Sequence, residues 1–70
     1  MKISFDKQAD ALYIQFQPLK RTKKTVKLQD GLLLDVGRSG QLFGIEILDV
    51  SHRMPVAQLG HVDIRPPRRT

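Results

Sequence analysis

The residues whose types could do chemistry in this sequence are few: the carboxylates Asp35 and Glu46, the histidines His52 and His61, and the run Asp49-Val50-Ser51-His52. Two carboxylates on one surface can serve as a general acid and a general base. Asp, Ser and His are the ingredients of a nucleophilic relay, and His61 with Asp63 would share one face of a strand as metal ligands. The spacing argues against each. Neighbours in an extended chain point to opposite sides, so Asp49 to His52 cannot form a relay within one strand. Zinc takes three or four ligands, and His52 would reach His61 and Asp63 only by folding back. Glu46 stands between Ile45 and Ile47 on what reads as a strand, with Asp35 further along the same side. Carboxylates so placed ordinarily solvate a sheet face, deter edge pairing, or pair with a lysine such as Lys27 across strands. Asp6 and Asp10 flank Lys7-Gln8-Ala9, where aspartates cap turn N–H groups. GRSGQLFG has neither the spacing of a phosphate loop nor a helix after it. No catalytic residue, metal or cofactor is expected, and the chain reads as a non-enzyme.

Charge is the next source of chemistry. The net charge is +5, and its placement matters more than its total. KRTKKTVK carries Lys20, Arg21, Lys23, Lys24 and Lys27 with no acid, and the tail adds Arg65, Arg68 and Arg69. Elsewhere four bases face seven acids, so a mildly acidic body bears two basic appendages. The run Lys20–Lys27 reads either as a solubilising loop or as a polyanion-binding stripe. Phe5, Phe16 and Phe43 fall on the core side and Tyr13 alone faces outward. There is thus no aromatic platform for bases, and nucleic-acid binding through the stripe would be non-specific and salt-dependent.

These residues must be positioned by strands. Alternation dominates, with no helical period of useful length and no internal repeat. In FDKQADALYIQF, pairing Phe5 with Leu12 and Ile3 with Ile14 sets both apolar rows on one face and leaves Lys7 to Asp10 as a four-residue turn. Pro18 ends the hairpin, since it cannot donate to a ladder. A third strand follows over about Lys24 to Leu28. A three-residue loop Gln29-Asp30-Gly31 then sets Leu28 opposite Leu32 and Val26 opposite Leu34, with Gly31 at the left-handed position of a bulged turn. The fourth strand is Leu32 to Val36. Gly37 to Gly40 turn into a fifth, QLFGIEILDV, with Leu34 opposite Phe43 and Leu32 opposite Ile45.

The expected fold is mainly β: a five-stranded antiparallel meander in a single domain over residues 1–65, with a disordered basic tail at 66–70. The inner row is Ile3, Phe5, Leu12, Ile14, Phe16, Val26, Leu28, Leu32, Leu34, Val36, Phe43, Ile45 and Ile47, and the outer face carries Tyr13, Leu33, Leu42, Leu48 and Val50. One sheet cannot cover its own apolar face, so a second subunit or the segment after Ser51 must lie on it, and a homodimer is expected. A helical turn near Pro55 to Leu59 and a short sixth strand near His61 to Arg65 are expected beyond the sheet. There is no cysteine, no signal-peptide pattern and no apolar stretch of membrane-spanning length. We therefore expect a cytoplasmic protein that does not enter membranes.

FDKQADALYIQF and the later DGLLLDVGRSGQLFGIEILDVS resemble the opening hairpin and the Gly-Ile-Glu-Ile-Leu strand of the domain of unknown function 2283 family. The resemblance covers roughly residues 2–51. Phe5 replaces a usual tyrosine, Gln8 a frequent acid and Val50 a common alanine, and the tail after His52 has no counterpart. The resemblance implies the sheet but carries over no catalytic residue. Proteins of this kind encoded beside toxin-like partners make an antitoxin-like role an analogy. The residues shared read mostly as turn and core positions, with Tyr13 and Glu46 facing outward. The surface expected to meet a protein partner is accordingly Tyr13, Leu33, Leu42, Glu46, Leu48 and Val50. The alternative is nucleic-acid binding through Lys20, Arg21, Lys23, Lys24 and Lys27.

Overall fold

A computed structural model describes residues 1–19, 23–61 and 63–65. Strands β1 (Lys2–Asp6), β2 (Ala11–Gln15), β3 (Lys24–Gln29), β4 (Leu32–Val36) and β5 (Leu42–Leu48) precede two 3-10 turns, η1 (Val50–His52) and η2 (Val56–Gly60). The mainly β, five-stranded antiparallel sheet matches the expectation. The sequential order of a meander does not hold, because the strands run β1-β2-β5-β4-β3. β5 is the longest strand and apolar on both sides, so it gains most from two neighbours. β3, with Lys24 and Lys27, lies at an edge, where charge discourages pairing with other chains. No helix among the described residues is long and apolar enough to cross a membrane.

The first hairpin has the expected register: Phe5 opposite Leu12, Ile3 opposite Ile14, and residues 7–10 as the turn. Asp6 Oδ1 accepts the N–H groups of Gln8 (3.0 Å) and Ala9 (3.1 Å), which holds the turn. Val26 faces Leu34 as expected, but Gln29 rather than Leu28 faces Leu32. Leu28 is the extra residue of a bulge and is 60% exposed, so it leaves the inner row. Gly31 takes the left-handed conformation, with φ 81°.

Pairing between β4 and β5 is corrected by two residues: Leu34 meets Ile45 and Leu32 meets Ile47. The turn uses one residue more than expected, closing with Gly37 N–H on Gln41 O (2.8 Å), and a bulge beside Val36 adds another. One slip alone would have inverted β5. The two together restore every side chain to its face.

Beyond β5 the alternation stops. Asp49 is left-handed (φ 54°), and Val50 turns under the sheet end, donating its N–H to Asp10 O at 3.1 Å. Val50, read as an outer-face residue, is instead fully buried (0% exposed). With Leu12 and Phe43 it forms the buried apolar core, while Phe5, Ile14, Phe16, Val26, Leu32, Leu34, Val36, Ile45 and Ile47 are only half-buried and Ile3 is 39% exposed. The helical turn near residues 55–59 is present as η2. The sixth strand is absent among the described residues 61 and 63–65. The tail 66–70 lies outside the described residues.

Candidate functional site

The outer face is organised around one tyrosine. Tyr13 on β2 pairs with Glu46 on β5, and Asp35 on β4 pairs with Gly44 on β5. Because position 44 has no side chain, the Tyr13 ring lies across β5 and its hydroxyl donates to Asp35 Oδ2 at 2.7 Å. Thr25 Oγ1 on β3 donates to Asp35 Oδ1 at 2.6 Å, and Lys23 Nζ stands 3.7 Å from the same oxygen. A polar chain therefore crosses four strands, with one carboxylate receiving two hydroxyls and a cation.

The electrostatics follow. Burial raises the Tyr13 phenol most, and the hydrogen bond to Asp35, the charge of Asp35 and that of Glu46 push it the same way, up to about 12. Burial also works against the Asp35 carboxylate. The hydrogen bonds from Thr25 and Tyr13, with the charge and hydrogen bond of Lys23, outweigh it and hold the carboxyl below its ordinary value. An acid held ionised is a poor proton donor at neutral pH.

Tyr13 and Glu46 form a low ridge between two hollows. One, of about 200 Å³, is lined by Lys23, Thr25, Leu33, Asp35 and the ridge. The other, of about 310 Å³, is lined by Ser4, Asp6, Ala11, Leu48 and the ridge. Of the expected partner surface, Tyr13, Leu33, Glu46 and Leu48 come together here. Leu42 is exposed at the far end of β5, where its carbonyl accepts Gln17 Nε2 at 2.8 Å. Val50 is withdrawn into the core.

The described part of the basic run divides between the two faces. Strand alternation places Lys23 and Lys27 on the outer side with Thr25 and sends Lys24 to the other side with Val26. Lys23 pairs with Asp35, and Lys27 with Asp30 at 3.6 Å rather than with Asp35 or Glu46. Lys20 and Arg21 lie outside the described residues. Asp10 accepts the Ser51 N–H (3.1 Å) and hydroxyl (2.7 Å), fastening η1 to the first turn instead of capping its own. His52 thereby comes near Asp10 and Asp49, with donor atoms within 4.8 Å of one another, and not near His61 and Asp63 as weighed from spacing. That trio is exposed at Asp49 and His52, and Asp10 is already engaged by Ser51.

Gly44, Thr25 and Lys23 were not legible as parts of this site. The available signal was a glycine inside the apolar strand Phe43-Gly44-Ile45, since glycine in a strand interior marks a close approach.

The family model described as Protein of unknown function (DUF2283) matches residues 2–51, and the chain belongs to that family. No curated protein and no solved structure matches the chain.

Proposed function

We propose that this member of the family is a non-enzymatic interaction module that works as a homodimer, inner face against inner face, with its outer face turned to a protein partner. The observation that carries the reading is the half-open inner row of a sheet with a single layer. Stable domains cover such a row with a second layer. Met54, Val56 and Leu59 after β5 are half-buried, yet the inner row remains half-open beside them. A second copy offers a matching apolar surface. The outer face then stays free, with Tyr13, Leu33, Leu42, Glu46 and Leu48 as its contact residues. A cytoplasmic setting goes with this reading, since the chain uses no cysteine.

Nucleic-acid binding through Lys20, Arg21, Lys23, Lys24 and Lys27 is the weaker reading, because among the described residues of that run Lys23 and Lys27 are ion-paired and Lys24 lies on the other face.

Light scattering across a concentration series tests the dimer. The wild-type chain is expected at twice its chain mass. Ile3 sits on edge strand β1 and is 39% exposed, so Ile3→Lys places a charge in the interface at small cost to one copy. That variant is expected at one chain mass with an unchanged far-ultraviolet spectrum. A wild-type chain that stays monomeric throughout overturns the reading.

A further inference from the structure

The two outer hollows differ in charge. The one between β5 and β3 is neutralised from within, because Lys23 lies against Asp35. The one over β1, β2 and β5 has Asp6 and Glu46 on its walls and no cation among its described lining residues. Among the described residues neither of these carboxylates has an ion-pair partner. Asp6 commits Oδ1 to the N–H groups of the turn, which fixes the side chain and leaves Oδ2 free of described bonds. Glu46 is half-buried between Tyr13 and Leu33 and has no ion pair among the described residues. The floor is apolar, from Ala11 to Leu48, and one wall is the Tyr13 ring, immobilised by its bond to Asp35.

We propose that this hollow receives an arginine side chain from a segment of the protein partner: the methylene stem along Ala11 and Leu48, the guanidinium against the Tyr13 ring and forked onto Glu46, with Asp6 as a second acceptor. The proposal rests on the interaction-module reading and names the chemistry of its partner. Arginine fits better than lysine because its planar fork matches a carboxylate bidentately and stacks on an aromatic face. A hollow of about 310 Å³ is large enough to admit one such side chain.

The test is amide chemical-shift mapping and calorimetry on the full chain at low ionic strength. The probes are a capped pentapeptide with two arginines spaced by glycine, and its lysine and glutamate counterparts. The arginine peptide is expected to bind, to move the amides of Ala11, Gly44, Glu46 and Leu48, and to lose about tenfold in affinity with Glu46→Gln. The lysine peptide is expected to bind several-fold more weakly, and the glutamate peptide not at all. Asp30→Asn, at an exposed carboxylate away from the hollow, is expected to change nothing. Equal binding to wild type and Glu46→Gln, or shifts confined to Asp30 and Asp63, overturns the proposal. So does peptide-free association abolished by Glu46→Gln, which would identify a second copy's own arginines as the occupant. A dimeric chain whose outer face prefers the glutamate peptide sinks the arginine assignment and leaves the module standing. A chain monomeric by light scattering sinks the module whatever the peptides do.

Discussion

The Tyr13 hydroxyl passes over Gly44 to reach Asp35, two strands from its own. A β-carbon at position 44 would collide with the Tyr13 hydroxyl and ring and lie 2.9 Å from the Ile14 carbonyl oxygen. Gly44→Ala must therefore push the ring aside and break the bond to Asp35. We expect a loss of about 1–3 kcal/mol, the usual range for overpacking. In the Tyr13→Ala background the clash with the ring is gone and only the 2.9 Å approach to the Ile14 carbonyl oxygen remains, so the same change is expected to cost less than in the wild type. Urea unfolding of the four proteins gives the coupling. Additive losses would mean that the ring does not occupy the space over Gly44.

The same pair sets a pH dependence. Tyr13 has its phenol raised in the fold from 10.0 to about 12, so the folded state favours the protonated form. That contribution is complete below about pH 10 and drains away as pH climbs towards about 12. Asp35 is lowered from 3.8, so its contribution is present above that value and lost as pH falls through the folded one. Stability attributable to the pair is thus flat between the two limits and falls outside both. Tyr13→Phe keeps the ring and removes the hydroxyl. We expect it to cost about 1 kcal/mol on the plateau and to flatten the alkaline limb. Urea midpoints of both proteins across that range decide it, and parallel alkaline limbs would refute the assignment.

The two faces of the sheet were readable from alternation alone, because burial fixes side-chain direction with a period of two. Strand order was not. Whether β2 neighbours β3 or β5 depends on which pairing covers the apolar β5 from both sides, a non-local balance that no local pattern encodes. The bulges at Leu28 and beside Val36 escaped for a related reason: each adds one residue at a turn whose closure depends on backbone bonds. Val50 was misplaced because alternation was carried past Asp49, whose left-handed conformation ends the strand. The outer network was half-legible. Tyr13 and Glu46 stood out as polar groups on an exposed face, while the reach of Tyr13 over Gly44 needed the register of three strands.

Asp49 shows what that conformation costs. With φ 54° it sits where most side chains are strained and glycine is not. Asp49→Gly is expected to be neutral or to stabilise by some tenths of a kcal/mol. Asp49→Val, branched at Cβ, is expected to lose about 1–2 kcal/mol. Thermal midpoints compared at one pH check this, and a valine that costs no more than glycine would mean the turn into η1 is not held as described.

Asp10 combines the same strain with a tether, and three substitutions separate the two. Its φ is 52°, its carboxylate holds the Ser51 N–H and hydroxyl, and its carbonyl holds the Val50 N–H. Asp10→Asn keeps an acceptor and tolerates the backbone, so a loss near 0.5 kcal/mol is expected. Asp10→Gly relieves the backbone but frees Ser51, and about 1 kcal/mol should go with those bonds. Asp10→Ala loses the bonds and adds the left-handed penalty, for about 2 kcal/mol in all. Ser51→Ala should cost less in the glycine background than in the wild type, because its hydroxyl there has no carboxylate to meet. Val50 supplies the independent readout. Its fully buried side chain should turn mobile in Asp10→Ala, seen as faster amide exchange at Val50 and Met54, whose N–H groups bond to Asp10 O and Val50 O. An unchanged exchange rate at both amides would show that η1 is held by burial of Val50 alone, with Asp10 a bystander.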